Sequence, residues 1–267
     1  LGDVYKRQMQ DGSYLDVYNY AVGEAAEPGS TFKPVSILAG MDDGYFNAES
    51  TVVVGNGSYR LYNRTITDSR GYGTLTVDGV IKKSSNIGTA KLINNAYGAE
   101  PEKFLKKLHE WKLDKSLGVD IPGEAEPRII GPKDPTWSKV TLPVMAYGYG
   151  FRMTPIQILT FYNAIANDGV MLKPLFMDKV VRKGEPEIVY EPEILVERIS
   201  SLENVRAMQH MLTGAVEQGG TAANIFTENY SIAGKTGTAR VEYWLKNQPM
   251  QYRASFAGYF PADNPKY

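Results

Sequence analysis

Cysteine is absent from the 267 residues, and histidine occurs only twice. Without thiols there can be no disulfide staple, no Cys nucleophile and almost no zinc site built from Cys and His. A Ser-His-Asp triad would have to recruit His109 or His210, and each stands alone in a predicted helix, where a structural role is the expectation. A charge excess is also missing. The 29 Lys and Arg against 30 Asp and Glu leave a net −1, which argues against a dedicated nucleic-acid binder. No apolar run reaches the ~18 residues of a membrane span. Leu1 to Gln10 is too polar for the apolar core of a signal peptide. There is no initiating Met, and the chain stops at Tyr267 in the middle of an alternating pattern, so it reads as a fragment. The residues present are 43% hydrophobic and 22% charged, a globular composition that excludes disorder and fibrous repeats.

The pattern along the chain is helical first and strand-like last. Residues 1–29 read as loop. Pro28-Gly29 is turn chemistry, and a helix is predicted from near Ser30 to Asp43-Gly44, with Pro34 in its first turn. Thr51 to Val54 is a strand candidate. One helix is predicted across Val77 to Ile93 and another over Pro101 to Trp111, where Phe104, Leu105, Leu108 and Trp111 share a face. Residues 112–150 are rich in Pro and Gly and read mostly as loop. Thr154, Pro155 and Gln157 form a capping-box helix start, and Asn167-Asp168-Gly169 ends that helix. Ser200 with Glu203 opens a further helix that runs to Gly219-Gly220. Strands are predicted at Tyr230 to Glu242 and Tyr252 to Phe260. The succession points to one α+β domain over 1–267.

Three short motifs carry the chemistry. Ser30-Thr31-Phe32-Lys33 is an S-x-x-K, Ser84-Ser85-Asn86 an S-x-N, and Lys235-Thr236-Gly237-Thr238 a K-T-G followed by Thr. Each alone has a bland reading: a helix N-cap, a polar helix patch, a strand with a bulge. An S-x-x-K arises by chance about once in a chain of this length. Their order, and a fitting helix or strand context for each, make the set far more specific.

The chemistry of the set follows from the residue types. Ser30 and Lys33, one helical turn apart, project from one face. A Ser hydroxyl attacks only once a base takes its proton, and a Lys can be that base if burial and a cationic neighbour depress its pKa. Lys235 supplies the neighbour, with Ser84 and Asn86 as hydrogen-bonding partners between the two lysines. Thr236 and Thr238 offer hydroxyls to a carboxylate, and Gly237 lets a substrate backbone lie against the strand. The backbone N–H groups of Ser30 and Thr238 are the expected oxyanion donors. This is acyl transfer without histidine, metal or cofactor.

On these motifs the chain resembles the class B penicillin-binding proteins, most closely the division-specific branch. Glu27 to Pro34 is similar to that family's whole nucleophile segment. Ile121-Pro122-Gly123-Glu124, Gly148-Tyr149-Gly150, Thr154 to Gln157, Ala166 to Val170 and Gly219-Gly220-Thr221-Ala222 also fit, so the resemblance covers about residues 9–267. It implies a β-lactamase/transpeptidase-like fold, in which a largely antiparallel mixed sheet is flanked by helices and joined by a helical subdomain. It also implies a D,D-transpeptidase acting on stem peptides that end in D-Ala-D-Ala. Ser30 would be the acylated nucleophile and Lys33 its base. Ser84 and Asn86 would relay protons and hold the substrate amide, while Lys235, Thr236 and Thr238 bind the carboxylate. β-Lactams would acylate Ser30 as covalent inhibitors. A polytopic glycan polymerase and division proteins are the implied partners, and an extracytoplasmic domain on a membrane-anchored parent the implied location.

The resemblance also sets expectations about the ends. The family's two strands before the nucleophile helix, and a strand and helix after Tyr267, are expected to be missing. Leu1 to Gln8 falls outside the family register, as an assembly or cloning scar would. Such a truncated chain is expected to fold poorly. Competing functions are weighed on the residues. A class A β-lactamase would need a Glu-x-x-x-Asn pattern, which is absent, and carries Ser-Asp-Asn where this chain has Ser-Ser-Asn. A D,D-carboxypeptidase differs only in its acceptor, and a non-turnover β-lactam sensor would keep the acyl group.

Overall fold

A computed structural model describes residues 4–8, 11–12, 14–241 and 251–267. A hairpin of β1 (Val4–Gln8) and β2 (Tyr14–Asn19) leads into a single helical turn, α1 (Tyr20–Gly23). A short 3-10 helix (Gly29–Phe32) then runs directly into α2 (Lys33–Asp42). Four short strands follow: β3 (Thr51–Gly55), β4 (Ser58–Leu61), β5 (Arg64–Thr67) and β6 (Gly73–Thr76). Next come α3 (Val77–Lys82), α4 (Asn86–Tyr97), α5 (Pro101–Glu110), α6 (Thr141–Met145) and α7 (Pro155–Ala166). Four strands of two or three residues, β7 (Met171–Leu172), β8 (Lys179–Val180), β9 (Ile188–Val189) and β10 (Ile194–Val196), precede α8 (Leu202–Val216). The described chain closes with β11 (Ala233–Val241) and β12 (Gln251–Tyr259). The described strands pair two by two, and every pairing is antiparallel.

The core is built around α2, which is buried from Lys33 to Met41. Ordinary helices bury one stripe, so a helix buried all round must be enclosed by other elements. Here α4 and α8 pack on it, and α3 and the 3-10 turn border it. Gly40 lets Phe46 in: a Cβ at 40 would meet the Phe46 ring at 2.2 Å. The α7 start carries both capping-box bonds, from the Gln157 N–H to Thr154 Oγ1 and from the Thr154 N–H to Gln157 Oε1. On α5, Phe104 and Leu108 are the buried pair, one turn apart.

Several expectations are corrected. Residues 1–29 were expected to be loop with no strand ahead of the nucleophile helix, yet the β1–β2 hairpin lies there; Leu1, Gly2 and Asp3 fall outside the described residues. The single helix expected over Val77–Ile93 is two helices. Ser84 adopts φ +55, a left-handed backbone that breaks any α-helix, and Ser85 restarts it by capping α4. Residues 112–150 contain α6. The helix predicted from Ser200 is capped by Ser201 and ends at Val216. β11 begins at Ala233, and Glu242 lies outside the described residues. Among the described residues no helix is long and apolar enough to cross a membrane.

Candidate active site

The nucleophile segment is held from below and behind. Gly29, at φ +59, donates its N–H to Gly148 O at 2.9 Å. The approach is so close that a Cβ on Gly148 would stand 1.9 Å from Gly29 O. Thr31 Oγ1 donates to Pro28 O, and the buried Tyr162 hydroxyl of α7 donates to Thr31 O at 2.9 Å. Ser36 Oγ ties the next turn to Ala146 O. Ser30 thus sits half-buried on a turn fixed at Gly29 and Thr31, at the entry of a helix whose first N–H groups have no helical partner.

Lys33 points inward from this turn and is fully buried. Its Nζ donates to Ser84 O at 2.5 Å and to Ser84 Oγ at 3.1 Å. The left-handed backbone at Ser84 presents carbonyl and hydroxyl to one ammonium. Burial holds the Lys33 pKa well below the usual lysine range. The nearby Lys235 lowers it further, and Asp68 works in the opposite direction. Lys235, on β11, is also fully buried; desolvation brings it down to about 7, and its Nζ donates to Thr236 O at 3.1 Å.

The S-x-N turn is clamped from its far side. Asp68, in the loop after β5, accepts from the Ser85 hydroxyl at 2.5 Å, the Asn86 N–H at 2.6 Å and the Ile87 N–H at 3.1 Å. The Asn86 amide donates to Thr67 O at 3.0 Å. On the third wall, Thr236 Oγ1 lies 3.1 Å from Thr221 Oγ1, and Tyr149 donates its hydroxyl to Thr238 O at 3.0 Å. Gly237 packs against the nucleophile turn. A Cβ there would meet Ser255 Oγ at 2.4 Å, Thr31 Cγ2 at 3.1 Å and Pro28 O at 3.4 Å. Close internal packing favours glycine here, on the strand face where a substrate backbone is expected.

The structure brings Ser84 against Lys33, and Lys235 lowers the Lys33 pKa. The Asn86 amide instead turns to Thr67 O, and the hydrogen bond of Lys235 goes to its own strand. Thr238 stands exposed on β11. Asp68 and Tyr162 were missed. Asp68-Ser69-Arg70-Gly71 reads as turn chemistry, and nothing local shows that the carboxylate reaches a helix start 18 residues on. Tyr149 and Thr221 lie in segments that fit the family pattern, but no role could be read for either from the sequence.

An α+β body with these three segments gathered at the end of one buried helix is the architecture of the β-lactamase/transpeptidase-like class. The comparisons agree. A family model described as "Penicillin binding protein transpeptidase domain" matches residues 3–267, which extends the match ahead of residue 9. The chain belongs to that family. It is 32% identical over 93% of its length to penicillin-binding protein PbpB of Mycolicibacterium smegmatis, and 29% identical over 100% to peptidoglycan D,D-transpeptidase FtsI of Escherichia coli K12. It spans 39% and 41% of those two proteins, about two-fifths of their length. Among solved structures it is similar to the transpeptidase domain of Burkholderia pseudomallei penicillin-binding protein 3. The TM-score is 0.77 at 32% identity, covering 92% of this chain and 70% of that one. It is also similar to penicillin-binding protein 3 of Mycobacterium tuberculosis complexed with aztreonam. There the TM-score is 0.81 at 29% identity, covering 96% and 57%.

Proposed function

We propose that this chain is the catalytic part of a peptidoglycan D,D-transpeptidase working in cell division on the outer side of the cytoplasmic membrane. The observation that carries the reading is Lys33: a fully buried lysine, one turn from Ser30, bonded to Ser84 and facing the cationic Lys235. Burial and that neighbour favour the neutral form of Lys33, and a neutral lysine can accept a proton.

The residues then divide the work as follows. Lys235, Thr236 and Thr238 take the terminal carboxylate of a stem peptide ending in D-Ala-D-Ala. Ser30 Oγ attacks the carbonyl carbon of the D-Ala-D-Ala bond, and its proton passes to Lys33. The N–H groups of Ser30 and Thr238 hold the oxyanion of the tetrahedral intermediate. Collapse breaks the C–N bond. The leaving D-Ala nitrogen takes a proton relayed through Ser84, and Ser30 is left as an ester. Asn86 holds the substrate amide. An amine of a neighbouring stem attacks the ester, loses a proton to the same relay and returns Ser30 to its hydroxyl form. β-Lactams acylate Ser30 in the same first step. A polytopic glycan polymerase and other division proteins are the expected partners of the whole protein.

The test is acylation of the full-length protein by a fluorescent penicillin, followed by intact mass and gel label beside Ser30→Ala. A long-lived adduct that vanishes in Ser30→Ala is expected. An adduct cleared within seconds would make the protein a β-lactamase. No adduct on folded protein would remove Ser30 from the role of nucleophile. Cross-linked product from a stem-peptide donor and an amine acceptor separates the transpeptidase from a carboxypeptidase or sensor.

A further inference from the structure

We propose that Asp68 is a positioning residue of this site: its carboxylate holds the Ser84-Ser85-Asn86 turn where Ser84 meets Lys33, and its negative charge acts on Lys33. The inference rests on the acylation chemistry proposed above and extends it to a residue outside the three motifs.

The geometry is that of a clamp applied from outside. One oxygen of Asp68 accepts from the Asn86 and Ile87 N–H groups, at 2.6 and 3.1 Å; the other accepts from Ser85 Oγ at 2.5 Å. These N–H groups are orphan donors of the first turn of α4, where a carboxylate is favoured both by hydrogen bonding and by the helix dipole. Ser85 is buried and already spends its own acceptor capacity on the Gly88 N–H at 2.8 Å, so its hydroxyl proton is free to go to Asp68. Thr67 O takes the Asn86 amide in the same stroke. Thr67, the last residue of β5, and Asp68 just after it thereby fix Ser85, Asn86 and Ile87 around the helix start.

What they fix is a costly conformation. Ser84 sits at φ +55, which for a residue other than Gly costs about fivefold to thirtyfold in population of that backbone. The neighbouring residue is therefore where a clamp is needed. Lys33 grips Ser84 from inside, and Asp68 grips Ser85 and Asn86 from outside. The charged groups acting on Lys33 come from two elements: Lys235 on β11 drives its proton off, and Asp68 in the β5 loop retains it. Asp68 thus keeps the base from becoming too weak to take the Ser30 proton, since basicity falls together with pKa.

The experiment is the pH profile of Ser30 acylation by a fluorescent penicillin in the full-length protein, with Asp68→Asn and Asp68→Ala beside the wild type. Asn keeps an oxygen for the α4 N–H groups but removes the charge. Its acid limb is expected to move to lower pH by about half a unit to one unit, with a plateau about tenfold lower. Asp68→Ala loses the clamp as well, and its plateau falls by about a hundredfold. A purely structural role would lower the plateau without moving the limb, so an Asp68→Asn limb that coincides with the wild type overturns the proposal. A readout without acylation is the 13Cε titration of Lys33, assigned through Lys33→Arg. It should move to lower pH in Asp68→Asn, and an unmoved titration also overturns the proposal. If the wild type forms no Ser30 adduct, the functional reading fails, while the Lys33 titration still decides the role of Asp68.

Discussion

Lys33 meets Ser84 through two different atoms of the same residue, the carbonyl oxygen and the hydroxyl. That double contact depends on the left-handed backbone at 84. Two substitutions separate its parts. Ser84→Gly suits φ +55 and keeps the carbonyl contact but loses the hydroxyl. Ser84→Ala loses the hydroxyl and keeps the strain. Both are expected to lower Ser30 acylation by about a hundredfold, in the range of a lost proton-transfer group. Ser84→Gly should be the more stable of the two, by up to about 1 kcal/mol. Thermal denaturation and penicillin labelling of the two variants check this; equal labelling of Ser84→Gly and wild type would leave the hydroxyl without a catalytic part.

The contact behind the nucleophile predicts a sharp contrast between two glycines two residues apart. Gly148 has φ +93 and would bring a Cβ to 1.9 Å from Gly29 O, whereas Gly150 has φ +80 and open space around it. Gly148→Ala should cost about 3 kcal/mol or more and abolish labelling, because backbone meets backbone and neither can yield. Gly150→Ala pays only the backbone term, about 1–2 kcal/mol. Urea unfolding of both variants is the measurement.

Lys235 carries a stability penalty that depends on pH. Its pKa is near 7 when folded and 10.5 when unfolded. Between these values the unfolded chain holds the proton and the folded chain does not, so stability rises with pH across that window; below about 7 the penalty is complete. Lys235→Met removes it. The variant should exceed the wild type in stability by a few kcal/mol, on the order of one pKa unit times the shift, at pH 6, and by roughly half that at pH 9. It should lose acylation at both. Urea midpoints at the two pH values test the sign, and a gap that widens with pH would contradict burial as the cause.

The same lysine links ligand binding to protons. A carboxylate drawn against Lys235 favours its charged form, so above pH 7 binding must bring a proton with it. Calorimetry of a β-lactam binding to Ser30→Ala, in buffers of different ionisation enthalpy, should show uptake of about one proton at pH 8 and much less at pH 6. No uptake at pH 8 would mean that Lys235 does not face the carboxylate.

The sequence made some parts of this molecule readable and not others, and the division is physical. The capping box at Thr154–Gln157, the α5 stripe and the extent of α2 are local, set by spacing within one helix. The three motifs were readable because each is a short run of unusual chemistry in a fixed order. The break at Ser84 was not, because a non-Gly residue with positive φ is held there by Lys33 and Asp68, 51 and 16 residues away in sequence. Asp68, Tyr162 and the Thr221–Thr236 pair act only across the fold, and no period or turn signal encodes them. The β1–β2 hairpin escaped because its Tyr, Asp and Gly content reads as loop when taken without its partner strand.

The seam between the nucleophile turn and β11 works like a vice with one jaw bolted down. Gly29 lies against Ala239, Gly237 against Thr31 and Pro28, and residues 148 and 149 pin the two sides to each other through Gly29 and Thr238. The opposite jaw, the Ser84–Asn86 turn with the Gly219–Thr221 segment, meets this seam through side chains: Lys33 on Ser84, and Thr236 on Thr221. Ser30 and the Lys-Thr-Gly strand are thus joined through backbone contacts, while the Ser84 side joins them through side-chain hydrogen bonds.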